Sequence, residues 1–379
     1  MEKEKISVPG FLASGVSAGI KETGARDLSL IYSAVPARAA GVFTTNAFKA
    51  APVLVSRERI KTGLAQAILT NSGNANAATG TAGYEDALAM SSSLASHLKI
   101  KDDLVLVAST GVIGHRLPLE KINRSIPAVV KGLRPDGISD AEAAIMTTDR
   151  FPKMAYQKRF IADREITVGG IAKGAGMIQP HMATMLAYAM TDADIDKVAL
   201  EKAFRFAVKR SFNAATVDGC MSTNDTALIL ANGCAGNRMI RGGGRSFYLF
   251  REMLCEILMK LAKDMVRDGE GATKAIEIVV TEARTQGEAK KIAYAIANSN
   301  LVKTAFFGGD PNWGRIIAAA GAVGIPLPVD EVRLAFGNVT VFQHGRGIEG
   351  KLPSLKTIMD REEIRIVLRA GMGTKDWRI

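Results

Sequence analysis

One threonine in this 379-residue sequence invites a chemical reading, because it sits in an apolar run just after a lysine and paired glycines. The segment Lys173–Asp192 reads KGAGMIQPHMATMLAYAMTD. Gly174 and Gly176 let a backbone approach a ligand or another strand closely. The set is no dinucleotide fingerprint, since the third glycine is missing, and no phosphate-cradling P-loop, since Lys173 precedes the glycines and no GK[ST] follows. On residue types alone this is a glycine loop entering a buried apolar strand or helix. Thr184, between Ala183 and Met185, is then a core hydroxyl. Two further segments are unremarkable on residue types alone, a strand-ending turn and a charged residue of the kind usually solvated at the surface. Ser109–Gly114 (STGVIG) puts Thr110 and Gly111 at the end of a probable strand, and Glu270 stands between two glycines in DGEGATK.

Familiar catalytic and metal-binding sets do not assemble. The four histidines are scattered, and His115 and His181 read as structural. The three cysteines, Cys220, Cys234 and Cys255, form no CxxC pair and have no histidine at ligand spacing. Neither a disulfide framework nor a zinc site is expected, so no metal and no cofactor is assigned. The thiols are expected to be reduced and mostly buried, which suits the cytoplasm. The start, MEKEKISVPGF, has no apolar core of a secretory signal, and the least charged apolar stretch, Ile316–Val329, is too short for a membrane span and contains prolines. The net charge is +11, but lysine and arginine are spread along the chain. The basic segment Arg238–Arg245 lacks interleaved aromatics for stacking on bases, so nucleic acid is not an expected partner. Small anionic substrates fit the charge better.

Elements must then position these residues. Strands are expected at Leu28–Ser33, Ala67–Thr70, Leu104–Ala108, Ile276–Thr281 and Ile364–Leu368, all short and rich in apolar or β-branched residues. Helices are expected at Tyr84–Leu98, Ile195–Lys209 and Phe247–Val266. In the last, Leu249, Met253, Ile257 and Leu261 mark a buried stripe. Strands and helices are mixed throughout, so the class is α/β or α+β, with mixed sheets and packed helices. With 47% hydrophobic and 23% charged residues the chain is an ordinary folded protein, long enough for two or three core-forming units. Gly169–Gly176 and Gly308–Gly314 read as embedded functional loops, and no composition shift marks a domain boundary.

KGAGMIQPHMATML resembles the signature of the ornithine acetyltransferases, the bifunctional glutamate N-acetyltransferase family of arginine biosynthesis. Further blocks agree in family order: GVSAGIK, AAGVFTTN, NSGNANAATG, STGVIG, IMTTD, STNDT, GEGATK and DPNWGRIIA. The resemblance implies a self-cleaving fold of the N-terminal-nucleophile type. It implies a break between Ala183 and Thr184, giving an α chain of residues 1–183 and a β chain of residues 184–379. Freed Thr184 then carries its own base, an α-amine with an unperturbed pKa of about 7.7–8.0. The same resemblance implies Thr110 and Gly111 as oxyanion donors, and Thr147 (or its neighbour Thr148), Lys173, Thr184 and Glu270 as substrate contacts. Its substrates would be N-acetylornithine and glutamate, with acetyl-CoA as a further candidate donor. The assembly it implies is two α and two β chains.

Two departures stand out. The family usually carries Asp–Thr where this chain has Cys220-Met221. Family chains also usually finish in a segment of the type YVKINADYRT, whose Asn and terminal Thr or Ser contact substrate, whereas this sequence stops at GTKDWRI. No C-terminal contact residue is therefore carried over. Either another segment substitutes, affinity is lower, a different acylated amino acid is used, or the sequence is truncated. The competing enzyme class is an N-terminal-nucleophile amidase or aminopeptidase that passes the acyl group to water. The non-enzymatic competitor is a basic nucleic-acid-binding protein.

Overall fold

The computed structural model describes residues 6–179, 185–350 and 352–379. The chain divides into two compact units, one of residues up to 213 with 220–268, the other of residues 214–219 and 269–379. The first contains an eight-stranded sheet. Its strands are β1 (Phe11–Val16), β2 (Leu28–Phe43), β3 (Leu64–Asn74), β4 (Val105–Val112), β5 (Lys153–Ile161), β6 (Arg164–Lys173), β7 (Leu186–Thr191) and β8 (Thr226–Ala231). The order is β4-β3-β2-β8-β7-β6-β5, with β1 paired to the first half of β2. Only β3–β4 and β7–β8 run parallel. The long β2 changes partner along its length. Leu28–Ser33 pair with β1 and Arg38–Phe43 with β8, while β3 pairs with Leu28–Tyr32 and again with Ala37–Arg38, the register broken between these two stretches around Pro36, which has no N–H to give.

Alternation in the strands sorts side chains to opposite faces. Leu28, Leu30, Ala67, Leu69, Val105 and Val107 form one cluster with helices α2 (Gly80–Leu98) and α3 (Leu119–Lys131), while α1 (Ala51–Arg59) adds Ala51 and Val55. Ile31, Ile68, Leu106 and Ala108 face the other way and meet Ile138, Ala141 and Ile145 of α4 (Ile138–Ile145). Helix α5 (Lys197–Arg210) is capped by Asp196, whose carboxylate accepts from the N–H groups of Val198 and Ala199. Helix α6 (Arg245–Arg267) packs on α5, β5 and β6. Its expected stripe is present in Met253, Ile257 and Leu261, while Leu249 is half-buried.

The second unit is a six-stranded sheet in the order β12-β11-β10-β13-β9-β14. Its strands are β9 (Ala275–Ala283), β10 (Arg333–Phe336), β11 (Val339–Gln343), β12 (Arg346–Gly347), β13 (Glu363–Arg369) and β14 (Lys375–Arg378). Helices α7 (Gln286–Ala297), α8 (Asn300–Phe307), α9 (Trp313–Gly321) and α10 (Leu352–Met359) complete it. Trp313 packs beside Phe342, with ring centroids 5.7 Å apart. Ile379 closes a two-way backbone pair with Ile278, at 2.9 and 3.0 Å.

The mixed α/β class and every expected strand and helix are present, but two readings change. Gly169–Lys173 belong to β6 and are not loop. A Cβ on Gly170 would stand 3.1 Å from Leu261 Cδ1, and one on Gly169 would stand 2.8 Å from Val8 Cγ2, so these glycines admit close packing across both faces of the strand. The cysteines are free thiols, yet Cys220 and Cys234 are exposed and Cys255 is half-buried, against the expectation of buried thiols. Among the described residues, no helix is long and apolar enough to cross a membrane.

Candidate active site

The site is assembled where β4, β6 and the loop after α4 meet. β4 ends in Thr110 and Gly111, and the parallel register sets Gly111 beside Gly73 of β3. Gly111 has φ +137°, and a Cβ there would lie 2.3 Å from the Gly73 carbonyl carbon. Only glycine fits this conformation and this close approach. The turn is pinned from behind. Ser109 Oγ donates to Asn71 Oδ1 at 2.5 Å, and Asn224 Nδ2 donates to the Ser109 carbonyl at 2.8 Å. Thr110 is thus buried with its backbone fixed, while Gly111 opens outward.

Lys173, the last residue of β6, reaches this turn. Its Nζ donates to Thr147 Oγ1 at 2.6 Å and stands 3.4 Å from Thr110 Oγ1. The side chain is buried, and burial is the main cause that pushes its amine below the ordinary lysine range. Asp149 opposes that shift, whereas Lys153 and Lys21 add to it and Asp225 opposes it weakly. Asp149 is itself pushed up by burial, but Lys173 and Lys153 outweigh this and hold it below the usual carboxylate range. Thr148 is exposed beside Thr147.

Four of the expected site residues, Thr110, Gly111, Thr147 and Lys173, therefore converge in the first unit. Ala183 and Thr184 lie outside the described residues. The strand that follows them begins at Leu186, the register partner of Lys173. Met185 is held on both sides by Asp225 and its neighbour. Its N–H donates to Asp225 Oδ1 at 2.9 Å, and its carbonyl accepts from the Thr226 N–H at 3.1 Å. The Asp225 carboxyl is buried and pushed well above its ordinary pKa by that burial. Glu270 belongs to the second unit.

Sequence reasoning missed a set of charges behind Lys173. Lys153 Nζ lies 2.6 Å from both Asp149 Oδ1 and Asp268 Oδ2, and none of the three side chains is exposed. Arg150 donates to Asp268 through its backbone N–H and through Nε, the latter at 3.0 Å. Asp149 falls in the quoted IMTTD block, so a signal for it existed. Lys153 and Asp268 stand far apart in sequence, and only the fold brings them together.

A threonine hydroxyl, an exposed backbone turn at glycine and a buried amine side by side suit stabilisation of a developing oxyanion, as acyl transfer requires. Comparison with known proteins gives the family. The ArgJ family profile matches residues 12–379. The arginine biosynthesis bifunctional protein ArgJ of Caldanaerobacter subterraneus is 48% identical over 374 residues, covering 97% of this chain and 93% of the relative. Its counterpart from Geobacter sulfurreducens is 48% identical over 369 residues, covering 97% and 94%. Among solved structures, the ArgJ protein of Bacillus halodurans is 38% identical with TM-score 0.44, over 49% of this chain and 97% of that one. Ornithine acetyltransferase of Mycobacterium tuberculosis, solved with ornithine, is 39% identical with TM-score 0.43, over 48% and 97%. The protein is an acyltransferase. The chain belongs to the ArgJ family, the bifunctional enzymes of arginine biosynthesis.

Proposed function

We propose that this chain cuts itself between Ala183 and Thr184 and then carries an acetyl group on the Thr184 hydroxyl, from N-acetylornithine to glutamate. An ordinary threonine hydroxyl needs a base, and the α-amine released by the cut supplies one on the same residue. Thr184 Oγ attacks the acetyl carbon while the amine takes its proton. The tetrahedral oxyanion is received by the Thr110 hydroxyl and the Gly111 N–H. Collapse breaks the bond to ornithine, whose leaving nitrogen takes the proton back. Glutamate's amine then attacks the enzyme ester and regenerates the hydroxyl. Acetyl-CoA as a second donor to glutamate is the finer reading of the relatives' bifunctional name.

The observation that supports this most is the convergence of Thr110, Gly111, Thr147 and Lys173 at the point where β6 ends and β7 begins. Thr147 and Lys173 would contact the amino-acid part of the substrate, Lys173 as a point charge toward a carboxylate. Glu270 would face the amino groups of ornithine. Two pieces of residues 1–183 and two of residues 184–379 would form the assembly, working in the cytoplasm. The test is to quench the enzyme in acid during turnover with N-acetylornithine alone and to weigh its pieces. The 184–379 piece should be heavier by one acetyl group, and glutamate should remove it. Free acetate released without any need for glutamate would contradict the transferase reading in favour of a hydrolase.

A further inference from the structure

Behind Lys173 lies a set of buried charges that burial alone makes costly. Removing a carboxylate or ammonium from water costs several kcal/mol each, and replacing a buried ion pair with apolar residues is often neutral or stabilising. The fully buried Asp149–Lys153–Asp268 series is therefore poorly explained as a stability device. Its geometry has a single focus. Asp149 Oδ1 accepts from the Gly174 N–H at 2.7 Å and from Lys153 Nζ at 2.6 Å. Asp149 Oδ2 accepts from the Thr147 N–H at 2.9 Å and stands 3.9 Å from Lys173 Nζ. One carboxylate thus fixes the backbone just after Lys173, the backbone of its hydroxyl partner Thr147, and the ammonium between them.

We propose that Asp149, anchored through Lys153 to Asp268, is the positioning residue that keeps the Lys173 ammonium charged and aimed at the Thr110 and Thr147 hydroxyls. A hydroxyl that accepts from an ammonium must turn its own hydrogen elsewhere, and at Thr110 that direction is open for the acyl oxygen. The charge arithmetic agrees. Within the set of ion pairs the two carboxylates Asp149 and Asp268 face three cations, Lys153, Arg150 and Lys173, and of these Lys173 is the one beside the Thr110 hydroxyl. The groups that bear on that amine are Asp149 and Asp225, which favour its charged form, and Lys153 and Lys21, which oppose it alongside burial. This inference rests on Thr110 being an oxyanion donor, as proposed above.

The experiment compares wild-type enzyme with Asp149→Asn, which keeps the shape and one acceptor oxygen but loses the charge. Wild-type enzyme is first shown to be cut and to transfer acetyl groups, so failure of the functional reading is seen before any variant is made. The proposal makes deprotonation of Lys173 the event that sets the alkaline limb in the pH profile of kcat/KM. Asp149→Asn should move that limb to lower pH and lower kcat at least tenfold at neutral pH. Asp268→Asn, one ion pair farther away, should move it in the same direction by less. A purely structural role would lower thermal stability and leave the limb in place, and an unmoved limb in the folded variants overturns the proposal. Should the variants fail to fold, titration of the Lys173 side chain by NMR in the wild-type enzyme decides. A charged amine at neutral pH is required, and a neutral one overturns the proposal.

Discussion

In the proposed mechanism Thr110 and Gly111 carry complementary parts of one task, and they differ in how replaceable they are. Thr110→Ala removes a hydroxyl from a buried strand end without touching the backbone. It should lower kcat for acetyl transfer by about 10²–10³-fold, the scale of losing one oxyanion donor, with little change in thermal midpoint. Gly111→Ala should cost activity and stability together. It forces a side chain to φ +137° and into the Gly73 carbonyl carbon, at a cost of order 1–3 kcal/mol before any shift of β3. Circular dichroism melting beside steady-state kinetics separates the two outcomes. At this scale the sequence was informative where several residues in a row match a family block. Thr110, Gly111 and Lys173 were reached through matched sequence blocks, since on residue type alone STGVIG reads as a turn and KGAG as a glycine loop. The Lys153–Asp268 pair could not be reached that way, because neither residue has a distinguishing local context and their partnership exists only after β5 and the end of α6 are packed.

Elements were legible wherever hydrophobic periodicity was strong. LSLIYS, LVLVA and IRIVL are strands because alternate residues serve opposite faces of a sheet, and the α6 stripe is buried because it repeats every four residues. The Gly169-Gly170 pair was misread because glycine ordinarily punctuates structure. Here it lies inside β6, making room for Leu261 on one face and Val8 on the other. Long-range strand order could not be read either, since β7 and β8 enter the sheet between β6 and β2 and no local pattern encodes that choice. A prediction belongs to this scale. Asp196→Ala removes the N-terminal side-chain cap of α5, which accepts from two backbone N–H groups. It should lower stability by about 1 kcal/mol, measured by urea unfolding, without changing acetyl-transfer kinetics.

At the scale of the whole molecule, the proposed cut and the two compact units do not coincide. The bond between residues 183 and 184 lies in sequence between β6 and β7, both strands of the first unit. A chain cut there would leave β1–β6 on one piece and β7 and β8 on the other. β7 pairs with β6, and β8 pairs with β2, so both pieces would share one sheet. They should therefore stay together in native conditions and part only when the sheet is unfolded. The second unit would belong wholly to the later piece. The central claim is that a chain end made by self-cleavage performs the chemistry, and intact mass tests it most directly. Purified active protein, weighed under denaturing conditions, should give two species divided before Thr184, while Thr184→Ala should give one whole chain. A fully active enzyme that weighs as one uncut polypeptide would contradict the account.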